Sequence, residues 1–324
     1  LAGSLHAVGR YREAVEVFQR LIEEMDRSGR GGMLSRAIMR HNLALTLLEL
    51  GENAEAEAIF REALEQAARA DPGGRIIWQP TVHYAEAALT QARADSALAY
   101  FDRIVRQAVE DGNLYWEGRG VFGRARALLA SGRLDAARHD ARRLGEILVA
   151  HPAVKGTDDL VPDARILGGL IALAEGDTIA ARTELLEGLR ENGWFEGRRR
   201  KRLRPVAVWL AEAELAAGDP VEALRFAREA GDVATVDSIA LRRSANVGEA
   251  RLVVARALLA TGDATGALSA ALEARVALRA GAGAGHPRTR EVERLLGALT
   301  PCGAAGCDRR GSESGPGGAT EPIR

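Results

Sequence analysis

Along most of this chain apolar residues return every three or four positions, and the run is broken at regular intervals by a glycine with polar neighbours. Within residues 35–50, Ile38, Leu43, Leu45 and Leu48 fall on one side of a helix. After Gly51 the same period resumes over residues 54–70 through Ala56, Ile59, Phe60, Ala63 and Leu64. Such spacing marks an amphipathic helix, and no stretch alternates at the two-residue period of a strand. The pattern predicts pairs of helices joined by short turns, and an all-α chain.

The breaks are themselves periodic. Gly9, Gly51, Gly132, Gly176, Gly218 and Gly262, with Ala92 in the third copy, are each followed five residues later by an alanine: Ala14, Ala56, Ala97, Ala137, Ala181, Ala223 and Ala267. Successive alanines stand 42, 41, 40, 44, 42 and 44 residues apart, and self-similarity at such a period marks a stacked repeat rather than one globular core. Glycine suits the turns because a helix commonly ends in a left-handed residue, where a side chain strains the backbone. Asp177, Asp219 and Asp263 follow their glycines and are placed to cap the next helix, and Pro220 suits a first helical turn. The expected architecture is an α-solenoid over residues 1–299, with one partial repeat and six complete antiparallel hairpins, closed by a helix from about Pro287 to Leu299. A single hairpin cannot bury its own apolar face, so stacked neighbours supply a continuous core, and the small alanines let paired helices approach closely. Residues 300–324 turn to Gly, Pro, Ser and charge and read as a disordered tail.

Gly9, Tyr11, Ala14 and Phe18 resemble the second half of a tetratricopeptide repeat. Leu43, Ala44, Gly51, Ala56, Phe60 and Ala63 extend the resemblance through a first helix, with Ala44 where the family has glycine. Phe101 keeps the aromatic, Ala141, Leu185, Ala227 and Ala271 replace it, and Asp71 with Pro72 preserves the closing proline. The period, longer than the roughly 34 residues of the standard repeat, resembles the long-helix variety of kinesin light chains, as do Gly285, His286, Pro287 and the helix after them. The resemblance implies a right-handed superhelix with a concave groove lined by first helices, binding a protein or peptide. It also implies a setting like the C-terminal arrays of bacterial serine/threonine kinases and multidomain regulators. Carried over position by position, the groove residues would be His41, Leu45, Glu86, Arg119, Phe122, Arg126, Leu170, Glu212 and Arg256, over an apolar floor that includes Ile38, Val82, Ile166, Val208 and Leu252. The Lys/Asn clamp with which some members hold a C-terminal carboxylate is not reproduced.

Composition narrows the function. Hydrophobic residues make up 47% but aromatics only 4%, so the interior is built from small and medium side chains. A net charge of −1, from 44 basic and 45 acidic residues, supplies no field for a polyanion and disfavours nucleic acid as a partner. Lys155 and Lys201 are the only lysines, an arginine bias typical of a GC-rich genome, and a bacterial source is expected. The longest apolar stretch, residues 166–174, is too short to span a membrane, and the opening residues carry no secretory pattern, so the expected location is cytoplasmic. By the register of the repeat, Leu1 falls inside a helix, and the chain is expected to be a piece of a larger protein.

Candidate chemistry is sparse. His6, His41, His83, His139, His151 and His286 lie in different repeats without metal-ligand spacing, and Cys302 and Cys307 lack two further zinc ligands nearby. No Walker, nucleophile or zinc-protease pattern occurs, and Gly281, Gly283 and Gly285 follow a helix where a dinucleotide loop requires a strand. No enzyme, cofactor or small-molecule substrate is therefore expected for these residues. The alternatives place a kinase domain or a DNA-binding domain upstream of Leu1. One local charge feature stands out: Arg198, Arg199, Arg200, Lys201, Arg202 and Arg204, read as a solvated loop over Trp194 and Phe195, with an anion-binding patch as its alternative. Trp78 and Trp116 are further candidate anchors, and self-association is left open.

Overall fold

The computed structural model describes residues 1–71, 78–150, 160–195, 203–232 and 243–300, and no strand occurs among them. Among the described residues fifteen helices follow one another in pairs: α1 (Ala2–Ala7) with α2 (Tyr11–Ser28), α3 (Met33–Leu50) with α4 (Asn53–Ala70), α5 (Trp78–Thr90) with α6 (Ala94–Glu110), and α7 (Leu114–Ala130) with α8 (Leu134–Ala150). Then come α9 (Val161–Glu175) with α10 (Thr178–Glu191), α11 (Arg204–Ala216) with α12 (Pro220–Gly231), α13 (Ala245–Ala260) with α14 (Ala264–Gly281), and the single α15 (Pro287–Leu299). The pairs are antiparallel hairpins stacked side by side, the all-α solenoid that the repeat predicts. Pro72, the basic residues Arg198, Arg199, Arg200, Lys201 and Arg202, and the tail with Cys302 and Cys307 lie outside the described residues.

The repeat alanines lie in the interior of the hairpins. Ala14, Ala56, Ala97, Ala137, Ala181, Ala223 and Ala267 are all fully buried, at 0% exposure. Twelve residues before each, as 44 stands to 56 and 169 to 181, lies another small buried residue on the preceding helix: Ala2, Ala44, Ala85, Ala125, Gly169, Ala211 and Ala255. Two small residues per hairpin let the helix axes approach, and close packing of this kind is where most of a solenoid's stability resides. One core cluster runs unbroken from Val105 to Leu296, and a second joins the first hairpins from Ala2 to Ala87.

The turns follow the same rule. The six turn glycines all adopt positive φ, from 72° at Gly132 to 87° at Gly262, and in the third copy Ala92 takes the same left-handed conformation at φ 55°. It is the one non-glycine residue to do so among those described. Asp177, Asp219 and Asp263 cap α10, α12 and α14 by accepting from the backbone N–H of Ala180, Glu222 and Gly266.

Two readings of the faces need correction. Ile38 is 42% exposed, and α3 buries Ala37, His41, Leu43, Ala44, Thr46, Leu47 and Leu50 instead. These residues occupy two faces rather than one stripe, because a first helix packs against its own partner and against both neighbouring hairpins. Phe195 is likewise exposed, while Trp194 is buried with its indole N–H donated to Glu229 at 3.0 Å.

First helices also touch one another in series, α3 with α5, α5 with α7, α7 with α9, α9 with α11 and α11 with α13, so they form the inner wall of the coil. The winding is tight enough for its ends to meet. Gly51, at the turn of the second hairpin, packs so closely on the backbone of Arg243 that a Cβ would lie 2.1 Å from that carbonyl oxygen. Glycine is required there twice over, by the contact and by its φ of +80°. Farther along, His286 at the N-cap of α15 is buried against the backbone of Thr90 at the end of α5. The groove between these contacts is a lumen open to solvent.

Candidate functional site

Among the described residues, three neighbouring cavities line the lumen. The first, about 130 Å³, lies where the early and late hairpins meet, between Leu45, Leu48, His83 and Glu86 on one side and Ser244, Ala245 and Asn246 on the other. A smaller one, about 60 Å³, is walled by Glu86, Arg119, Phe122, Arg126, Asp163 and Trp209. The largest, about 270 Å³, is bounded by Leu89, Leu129, Leu170, Pro205 and Trp209 together with Arg126, Asn246, Glu249 and Arg288. An apolar wall with a few fixed polar groups is the usual make-up of a ligand pocket.

On α7, residues 119, 122 and 126 recur at helical spacing and face inward together. Arg119 donates to Asp163 on α9 at 2.6 Å and lies 3.5 Å from Glu86 on α5. Burial opposes its charge, but these carboxylates outweigh burial and its pKa rises. Arg126 sits over Phe122 at 5.4 Å and over Trp209 of α11 at 5.3 Å, with Glu86 at 3.9 Å. Its aromatic neighbours supply cation–π attraction, while burial lowers its pKa.

Across the lumen α11, α13 and α15 contribute a second network. Arg288 pairs with Glu212 at 2.6 Å and with Glu291 at 3.0 Å, and Arg256 bridges the same two carboxylates at 3.6 and 3.4 Å. Beside them Glu249 lines the largest cavity, with its pKa pushed up to about 7 by burial and by Glu212 and Glu291, against the pull of Arg288.

Of the residues expected in the groove, Leu45, Glu86, Arg119, Phe122, Arg126 and Leu170 line these cavities, and Glu212 and Arg256 belong to the second network. His41 does not line them. It is 5% exposed, stacked on His83 at 4.9 Å, with its Nε2 2.9 Å from His83 Nδ1. Burial first, and the neighbouring His83 second, depress its pKa to about 3, so the ring is neutral and structural. Val82, Val208 and Leu252 are likewise core residues, and His83, Trp209 and Glu249 face the lumen in their place. Trp78 is buried, edge-on to Trp116 at 5.5 Å, and neither lines the three cavities. Arg204 opens α11, and the rest of the basic run falls outside the described residues.

Asp163, Trp209, Glu249, Arg288 and Glu291 were missed. Two of them carry a signal in the sequence: Asp163 stands one repeat, 44 residues, after Arg119, and Glu249 stands two helical turns before Arg256. No group of three or more His, Cys, Asp or Glu is placed to hold a metal ion among the described residues, nor is any helix there long and apolar enough to cross a membrane.

Models of the tetratricopeptide repeat match residues 1–69 and, in a second form, residues 118–138 and 205–229. No curated protein matches the chain. Among solved structures, a Rap protein complexed with Competence and Sporulation Factor is similar with a TM-score of 0.59 at 14% identity, over 92% of this chain and 74% of that one. Aspartyl phosphate phosphatase F from Bacillus subtilis gives 0.58 at 12% identity, over 86% and 69%. A tetratricopeptide repeat protein from Parabacteroides merdae gives 0.51 at 12% identity, over 92% and 95%. At these identities the likeness is one of fold: the described residues form an α-solenoid, and models of the tetratricopeptide repeat match parts of it.

Proposed function

We propose that this chain is a non-enzymatic interaction module that holds a peptide or an extended protein segment in its lumen. The observation that carries the reading is the cavity of about 270 Å³, where Leu89, Leu129, Leu170, Pro205 and Trp209 supply apolar wall and Arg126, Glu249 and Arg288 supply orientation. Burial of side chains against such a wall provides affinity, and fixed charges exclude wrong partners. The similar Rap protein was solved with a partner bound, which supports the same use of this fold. The long period favours the kinesin-light-chain-like variety of repeat, working in the cytoplasm as the sensing or scaffolding part of a bacterial regulator. A serine/threonine kinase domain elsewhere in the same protein would appear as a Gly-rich loop, a lysine strand and a His-Arg-Asp loop in the reading frame upstream of Leu1.

The test is selection from a phage-displayed dodecapeptide library. The wild-type chain is expected to enrich defined sequences, and Leu170→Arg, which fills the cavity, is expected to lose them while keeping its helical circular-dichroism spectrum. Capture that survives Leu170→Arg but disappears when Arg198, Arg199, Arg200 and Lys201 are neutralised would move the site to the basic edge and refute the lumen reading.

A further inference from the structure

The charges of the lumen do not cancel. On the α7 side two cations, Arg119 and Arg126, face two carboxylates, Glu86 and Asp163. On the α13 and α15 side two cations, Arg256 and Arg288, are shared between two carboxylates, Glu212 and Glu291, in a closed set of four ion pairs. Two carboxylates are left over, Glu49 on the wall of the first cavity and Glu249. No cationic nitrogen lies within 4.0 Å of Glu249 among the described residues, and Arg288, which acts on it from farther off, is already paired with Glu212 and Glu291; yet Glu249 lines the largest of the three cavities beside Trp209, Asn246 and Leu170. An unpaired carboxylate out of bulk water is costly, and the group responds by holding its proton.

Building on the peptide-binding reading, we propose that this cavity takes a cationic group, the ammonium or guanidinium of a basic residue in the bound peptide, seated on the Glu249 carboxylate beside Trp209. The competing assignment is an anionic group on Arg126. Arg126 already has Glu86 and two aromatic faces, whereas Glu249 feels only Arg288, which is committed to Glu212 and Glu291, so the vacant half of an ion pair in this lumen is negative.

Binding of a cation favours the ionised carboxylate, so it must release the proton that Glu249 holds. With a pKa of about 7 when free and a lower one when paired, linkage makes binding tighter at pH 8 than at pH 6, by about tenfold where the paired carboxylate stays ionised throughout. The charged groups around it are Arg126, Arg256 and Arg288 with Glu212 and Glu291, which are ion-paired, while burial lowers the pKa values of His83 and His286.

The same dodecapeptide library tests the proposal. Peptides selected by the wild-type chain are expected to be enriched in Lys and Arg. A synthetic peptide made from the winning sequence should bind about tenfold more weakly to Glu249→Gln. Calorimetry in buffers of different ionisation enthalpy should show proton release at pH 6.5 with the wild type and none with Glu249→Gln, and the gain from pH 6 to 8 should vanish in the variant. Glu249→Gln removes a carboxylate that folding penalises, so the variant should fold. Selected peptides without basic enrichment, enrichment in Asp and Glu, or unchanged affinity and proton release in Glu249→Gln would each overturn the inference while leaving peptide binding in place. Failure to select any sequence would overturn both.

Discussion

Gly123 lies on the side of α7 that rests on α6, and it sets how deeply the lumen-bearing helix seats. A Cβ built there would lie 2.1 Å from Cε1, 2.3 Å from Cζ and 2.6 Å from Cδ1 of Phe101, a ring with 0% exposure. Ordinary contact needs well over 3 Å, so the ring or the helix would have to retreat by more than 1 Å into a packed core. Overpacking of this kind costs about 1–3 kcal/mol, and the better helix propensity of alanine returns about 0.8–1 kcal/mol. Gly123→Ala should therefore destabilise the chain by up to about 2 kcal/mol.

Gly145 provides the control, because it sits within α8 with nothing within 4 Å of a built Cβ. Gly145→Ala gains the propensity term alone and should stabilise by about 0.5–1 kcal/mol. Urea melts followed by circular dichroism read both values. Adding Phe101→Leu to Gly123→Ala should show a coupling of about 0.5–3 kcal/mol, since the residues share one space. If Gly123→Ala stabilised as Gly145→Ala does, α6 and α7 would not be in the contact described. Because α7 carries Arg119, Phe122 and Arg126, a displaced α7 should also weaken binding of a selected peptide.

Ala92→Gly should stabilise the chain by about 0.5–1 kcal/mol in the same melts, because alanine at positive φ carries a steric cost that glycine avoids; a loss would show that the third turn is not left-handed. His41 in the folded chain titrates at about 3, so protons bind the unfolded chain preferentially as pH falls below the ordinary histidine value of about 6.5, and stability should drop by up to about 1.4 kcal/mol per pH unit. Melts between pH 7 and 4 should show this slope reduced in His41→Phe, and an equal slope would mean that the ring is accessible when folded. Arg126→Glu should lower stability by about 1–3 kcal/mol as well as binding, because it places a third carboxylate beside Glu86 and Asp163; an unchanged melting curve would show that Arg126 is not wedged between Phe122 and Trp209.

The repeat alanines and turn residues were legible because their causes are local. A left-handed turn selects glycine at Gly51 or Gly176, a free N-terminal amide selects aspartate at Asp177, and both act within a few residues of chain. Alanine at 56 or 181 answers to a partner helix only one turn away, so it too recurs at a readable spacing. Hairpin identity, helix order and the all-α class followed from these positions.

Which side of each first helix faces inward was not fixed by that information. A helix such as α3 buries residues toward its own partner and toward both neighbours, so its apolar pattern is broad and leaves the narrow lumen-facing strip undefined. His41 and Val208 were consequently assigned to the lumen, and Glu249 was not. The meeting of Gly51 with Arg243 and of Thr90 with His286 depends on small rotations accumulated over successive hairpin interfaces. Periodicity along the chain determined that these helices would stack; the angle at which they stack, set by side-chain packing at every interface, decided that early and late hairpins would meet and leave Glu249 inside without an ion pair of its own.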